Sequence, residues 1–191
     1  MASGPGERAR LLALTRELIL RRGVLGLSLS ELARSIGSNN RMLLYHFGSL
    51  DELIGAAVED IVGGTELLER LAERLRSPGS PTERLGAAWR HLADPARLPH
   101  LRLFFARFGM AVDAPERDAD FLVQVRDRWT AVVADALRGL PEVEDPDDIA
   151  VAVVALWRGL QIQLICGEDR ARLDAVHAGA VAGLLYGSIK K

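Results

Sequence analysis

Apolar residues recur three and four positions apart along almost the whole chain, and nowhere does a strict apolar–polar alternation persist. That spacing lays one hydrophobic stripe along each of a series of helices and leaves no segment suited to a half-buried strand. The expected fold class is therefore all-α. Proline, glycine and aspartate gather between the periodic stretches, as SPGSP at 77–81 and then DPARLP, VDAPER, GLPEVEDP and GEDR, and such clusters punctuate helices. They divide the chain into nine expected helices, at about 7–22, 28–36, 39–47, 49–76, 82–93, 99–111, 116–138, 146–166 and 171–187. Gly63-Gly64 is expected to bend the fourth, and Met1 to Gly6 is read as a frayed tail.

With 191 residues, 49% of them hydrophobic, the chain is expected to bury a sizeable core. The net charge of -2 argues against a protein that coats nucleic acid, but the charge is unevenly placed. Residues 1–50 hold seven Arg against three acidic residues, a balance of +4, which leaves -6 for the remainder. A basic N-terminal part on an acidic body suits a molecule that presents one end to a polyanion. Arg outnumbers Lys by 22 to 2, which we assign to a GC-rich coding genome. The single cysteine, Cys166, excludes an internal disulfide and cysteine-rich zinc sites, and it suits a reducing compartment. No apolar run resembles a signal peptide, and the longest apolar stretch, Ile149 to Cys166, is broken by Arg158, Gln161 and Gln163, so it is read as a buried helix. The expected location is cytoplasmic.

Residues 28–53, SLSELARSIGSNNRMLLYHFGSLDEL, are the most informative stretch. Ser28 and Glu31 form a capping box that opens a helix. Leu29, Leu32, Ala33 and Ile36 point inward, and Gly37 supplies the left-handed stop. A short helix follows, capped by Asn39, which is itself among the expected DNA-binding residues. A second box, Ser49 and Glu52, opens the next helix. This is the spacing of a helix-turn-helix, whose second helix enters the DNA major groove with its N-terminal turn foremost. Asn40, Arg41 and Met42 are thereby the candidates for base edges: Arg suits guanine, Asn adenine, and Met an apolar contact such as a thymine methyl. Ser28, Tyr45, His46 and Ser49 are candidates for phosphate contact, aided by free N–H groups at helix starts. Leu43 and Phe47 are assigned to the core.

The same stretch, with the helix before it, resembles the DNA-binding domain of the TetR family of bacterial transcription regulators. Leu12, Leu18, Gly23, Ser28, Leu32-Ala33, Gly37, Leu43, His46-Phe47, Ser49 and Leu53 match the family pattern without a gap. There are four departures: Ser38 stands for the family's Val, Asn39 for its Ser, Leu44 for its Tyr (with Tyr45 next in line), and Leu50 for its Lys. One position rotates a helical side chain by ~100°, so Tyr45 is turned from the family's phosphate contact, and Leu50 removes a cation. Fewer phosphate contacts give weaker binding and a shallower salt dependence.

The resemblance implies two domains, 7–53 for DNA binding and 54–191 for effector binding and dimerisation. It implies a homodimer through a bundle of the eighth and ninth helices, a double-stranded near-palindromic operator, and repression relieved by a small-molecule effector. The effector is expected to bind among helices four to eight and to act by shifting the fourth. Two features suit the dimer. The 146–166 helix is apolar around most of its circumference. The 171–187 helix carries Ala171, Ala175, Gly179, Gly183 and Gly187 four apart, a stripe that lets a second backbone approach. Trp157, Ala175, Gly179, Gly183 and Gly187 are the interface candidates. Trp89, Phe108, Trp129 and Gln161 are the pocket candidates, drawn from an aromatic-rich middle with a few polar groups.

An all-helical metal enzyme is the alternative of a different class, and Asp145, Asp147 and Asp148 are its best feature. The acidic residue such a motif needs at position 151 is Val, and acids in a first helical turn favour the dipole. The four His, at 46, 91, 100 and 177, make no helical pair. No catalysis, metal or cofactor is expected. A third reading is a helical ligand-binding protein that has lost DNA binding through Leu44 and Leu50.

Overall fold

The computed structural model describes residues 5–24, 26–62, 65–141 and 143–187. Among them are ten α-helices and no strand: α1 (Pro5–Arg22), α2 (Leu29–Ser35), α3 (Asn40–Phe47), α4 (Leu50–Val62), α5 (Thr65–Leu75), α6 (Pro81–Leu92), α7 (Leu98–Asp113), α8 (Ala119–Leu137), α9 (Pro146–Ile165) and α10 (Arg170–Tyr186), with a 3-10 turn at Pro95–Arg97. The single helix expected over 49–76 is two, α4 and α5. Consecutive glycines are the weakest point of a helical run, each about 1 kcal/mol poorer than Ala. Gly63-Gly64 and Met1 to Gly4 lie outside the described residues.

The chain divides into two compact units. The first is Met1–Gly64 with Arg102–Arg107, so it extends through α4 and takes in the middle of α7. Its core is aliphatic but for one ring: Leu11, Leu32, Leu43 and Leu53 are fully enclosed, with Leu18, Leu27, Ala33, Ile36 and Phe47 around them. Ile19, Ala57, Val58 and Leu103 form a second cluster, which fixes the α7 segment to α1 and α4. Arg107 lies 3.5 Å from Glu59 beside it.

The second unit is Thr65–Leu101 with Phe108–Lys191. Leu71, Leu85, Trp89, Val133, Val153 and Trp157 are central to a single core built from α5, α6, α8, α9 and α10. Sharp local signals start its helices. Ser80 and Glu83 form a reciprocal capping box ahead of Pro81 at the first position of α6, and Asp169 accepts the Arg172 N–H at the start of α10.

Candidate nucleic-acid interface and the polar core of the second unit

The turn between α2 and α3 is built by Gly37 at φ 66, where the Ser38 N–H donates to the Ala33 carbonyl at 2.8 Å. Asn39 then caps α3, its Oδ1 accepting the Met42 N–H at 3.0 Å. The Asn39 side chain is thus committed to the helix end. Asn40 Nδ2 donates to Ser30 Oγ at 2.9 Å, a bond that laces α3 to α2 and holds the amide plane. Ser30 was not among the expected residues. Its signal is an exposed polar side chain near the start of α2.

Leu43 and Phe47 point into the core, and Met42 and His46 lie half-buried at the flanks. The outward face of α3 is therefore Asn40, Arg41, Leu44 and Tyr45. Tyr45 is 71% exposed, and its ring meets His46 edge-on at 5.0 Å. His46 Nε2 is buried with no hydrogen-bond partner among the described residues. The Arg8 guanidinium lies 4.8 Å over the Phe47 ring, so α1 also presents a cation beside the motif. Leu44, expected only as a departure from a pattern, sits on the outward face among the residues assigned to DNA.

The two serines differ. Ser28 Oγ accepts the Glu31 N–H, while its own N–H and hydroxyl donate to the Glu31 carboxylate at 3.4 and 3.2 Å. Arg22 pairs with the same carboxylate at 3.2 Å. That hydrogen bond first, then those from Ser28, hold the Glu31 carboxyl below the usual range. Ser28 is thus shielded by a carboxylate, which makes it a poorer phosphate donor than its position suggests. Ser49 Oγ accepts the Glu52 N–H at 3.1 Å, but its own N–H goes to the Phe47 carbonyl at 2.9 Å, so only half of the expected second box forms. Leu50 packs against the first unit's core.

In the second unit, polar groups run through the interior. Trp89 donates to Asp174 Oδ1 at 2.6 Å and stacks on His177 at 5.5 Å. Trp157 donates to His177 Nε2 at 3.0 Å. Accepting there requires a neutral ring at that nitrogen. Burial above all, with Arg90 assisting and Asp174 opposing, pushes the His177 pKa down to about 4. His91 is likewise pushed down to about 4 by burial and then by Arg97, Arg74 and Arg70.

These contacts decide several expected roles. Trp157 is only 1% exposed within the single chain, so it belongs to the core and is not available to a second subunit, contrary to expectation. Apolarity all round α9 did not reveal which face the chain itself covers. Ala175, Gly179, Gly183 and Gly187 are exposed, and a Cβ at any of the three glycines would meet nothing within 4 Å. Of the pocket candidates, Trp129 and Gln161 converge on Arg158, whose guanidinium lies 4.4 Å over the Trp129 ring and donates to Gln161 Oε1 at 3.0 Å. Burial lowers the Arg158 pKa to about 10, so it remains a cation at neutral pH. Trp89 is elsewhere. With Thr82, Gly86, Arg90, Asp174 and His177 it lines a cleft of about 170 Å3 between α6 and α10, which neither Phe108, Trp129 nor Gln161 reaches.

The acidic group at the start of α9 has a structural role. Asp147 pairs with Arg138 at 2.8 Å, and Asp147 and Asp148 occupy the first helical turn. Among the described residues no group of three or more His, Cys, Asp or Glu side chains is placed to hold a metal ion.

A capped helix-turn-helix with a solvent-facing second helix, beside a separate helical unit with its own core, defines a helix-turn-helix transcription regulator. Known proteins narrow this further. The family model described as bacterial regulatory proteins, tetR family, matches residues 11–57. The HTH-type transcriptional regulator BetI of Rhizobium meliloti (strain 1021) is 25% identical over 161 residues, covering 83% of this chain and 78% of that protein. A transcriptional regulator from Rhodococcus sp. Rha1 has a similar fold, with a TM-score of 0.75 at 23% identity, over 94% of this chain and 96% of that one. So does a Saccharomonospora viridis protein solved in complex with choline, with a TM-score of 0.75 at 23% identity over 96% and 97% of the two chains. Residues 11–57 thus match the TetR family, and over most of its length the chain is similar to a transcription regulator. Regulators of this family are in general not enzymes.

Proposed function

We propose that this chain works as a homodimeric repressor that binds a near-palindromic operator and is released by a small, largely apolar effector. The observation that carries the reading is the outward face of α3, where Arg41 and the laced Asn40 stand free of the core at the leading end of a capped helix. A guanidinium and an amide at that end suit guanine and adenine edges. Residues 7–53 carry DNA binding in this reading, and 54–191 carry effector binding and dimerisation.

The dimer reading is supported by α9 and α10. The α9 helix has a mean hydropathy of 1.5, with only 28% of its apolar window buried in the single chain. Val151 and Ile162 are exposed on it, as are Val176 and Tyr186 on α10, beside the open glycine stripe. Exposed glycines inside a helix each cost about 1 kcal/mol relative to Ala, and close packing against a second copy offsets that. Two copies would place their recognition helices about one DNA turn, ~34 Å, apart.

The effector reading is supported by the second unit's interior, where aromatic walls and a few fixed polar groups lie together. The choline complex belongs to the Saccharomonospora viridis protein; for this chain the reading is a small organic molecule that binds one of two states of the second unit more tightly. An effector shifts the equilibrium only by that difference. A regulator of this kind acts where the chromosome is, in the bacterial cytoplasm.

Selection of duplexes from a random pool by the purified chain, followed by binding of the winner at two salt concentrations, tests the reading. A palindromic site bound in a salt-sensitive way is the expected result. A folded, dimeric protein that enriches no sequence would overturn it.

A further inference from the structure

Leu44 is 44% exposed on a helix face otherwise made by Asn40, Arg41 and Tyr45. It adds nothing to the buried cluster that Leu43 and Phe47 join, and it lies at the edge of their stripe, on the same side of the helix as Arg41. An isobutyl group on a face that meets the floor of a groove has one chemical option. It carries no donor or acceptor, so against a guanine, cytosine or adenine edge it strips water without replacing the lost hydrogen bonds. The major-groove edge of thymine alone offers an apolar group, the 5-methyl.

We propose that Leu44 is a specificity-determining residue that selects thymine through its methyl group, taking the apolar reading that Met42, half-buried at the flank of α3, is badly placed to make. The inference rests on the reading of α3 as the groove helix and deepens it. Leu44 follows Arg41 by three residues, a rise of about 4.5 Å along the helix, comparable to the 3.4 Å between successive bases of a strand. The guanine read by Arg41 and the thymine read by Leu44 therefore fall on neighbouring base pairs of each half-site. Tyr45, braced edge-on by His46, is exposed next to Leu44.

The test replaces each thymine of the selected duplex, one at a time, with deoxyuridine. This deletes the methyl and leaves every hydrogen-bonding group in place. Binding of the full chain is expected to weaken about fourfold at one position per half-site, the worth of one buried methyl, and to change little elsewhere. In Leu44→Ala that position should no longer distinguish thymine from deoxyuridine, whereas Leu44→Met should preserve the distinction. Leu44 lies outside the core, so both variants should melt like the parent. Salt-sensitive binding with no methyl effect at any position, or a methyl effect that survives Leu44→Ala, overturns the inference and leaves the DNA reading standing. Absence of salt-sensitive binding to any duplex overturns both.

Discussion

In the first unit the side-chain hydrogen bonds that organise the motif lie at helix ends: Ser28 with Glu31, Asn39 with Met42, Ser49 with Glu52, and the Asn40–Ser30 bond that laces α2 to α3. The second unit has caps as well, at Ser80 and Asp169. It adds bonds through its interior, from Trp89 to Asp174, Trp157 to His177 and Arg158 to Gln161. The contrast is physical before it is functional. Bonds at helix ends set where a helix starts and which way it faces, and each can be lost locally. Bonds through a core tie α6, α9 and α10 to one another, so a change at one side chain is felt on all three. The first arrangement suits a rigid reading head, and the second suits a body with more than one packing.

The largest expected effect breaks the second arrangement. Trp157→Ala removes a side chain 1% exposed and leaves both a cavity and an unpaired His177 Nε2. A loss of about 3–5 kcal/mol is expected. Amide hydrogen exchange should show the loss in α6, α9 and α10, with α1 to α4 still protected. Equal loss of protection in both units would mean that the chain unfolds as one block and that the contrast has no thermodynamic content.

A smaller effect separates shape from bonding. His177→Phe keeps an aromatic ring against Trp89 but removes the acceptor for Trp157, and a buried donor left unpaired costs about 1–3 kcal/mol. The substitution also changes the response to pH. His177 and His91 both titrate at about 4 when folded, below their ordinary value of 6.5. The unfolded chain therefore holds more protons between those limits, and stability falls as pH drops from about 6.5 toward 4. Denaturant unfolding at a series of pH values should show uptake approaching two protons in the parent and one fewer in His177→Phe. An identical pH profile for the two proteins would remove His177 from the account.

At the first unit's helix ends the effect is smaller again. Ser28→Ala removes the acceptor for the Glu31 N–H and should cost about 0.5–2 kcal/mol, read as a lower melting temperature of the first unit. The pH response should change only where Glu31 titrates, because the Ser28 hydroxyl helps hold that carboxyl low, and a change in the histidine-dependent part of the profile would show that the two sets of bonds are not separable.

The two arrangements also explain what could be read from sequence. Caps and turns are local, so Ser28, Gly37 and Asn39 announce the helix-turn-helix within a dozen residues, and the periodicity of Leu43 and Phe47 fixes which side of α3 is buried. The same wheel puts Leu44 at the edge of the buried stripe, and its exposure is settled only by the packing of α3. The second unit's network joins residues far apart in sequence, Trp89 with Asp174 and Trp157 with His177. Periodicity says that each of these faces inward but not which partner it meets. For that reason Trp157 was expected on an outer face, Trp89 was grouped with Trp129 and Gln161, and neither His91 nor His177 stood out as a buried neutral ring. Ser80 and Glu83 have the same form as Ser28 and Glu31 and are legible in the same local way.

The smallest expected effect on stability sharpens the contrast at its border, where a helix end and a core meet. Leu50 is the first residue of α4 and packs against the first unit's aliphatic cluster, at a position where the TetR pattern carries Lys. Its side chain has exchanged a cation for an apolar contact. In Leu50→Lys the methylene stem can keep much of that contact while the ammonium reaches water, so stability should change by no more than about 0.5 kcal/mol. Binding should respond far more. One added phosphate contact per protomer, two per dimer, steepens the dependence of log affinity on log salt by about 1.8, and affinity at low salt should rise. An unchanged slope would mean that the start of α4 faces away from the phosphates, which would also withdraw Ser49 from the contact set. A stability loss of several kcal/mol would instead place Leu50 in the core proper, and the absence of Lys would then follow from packing alone.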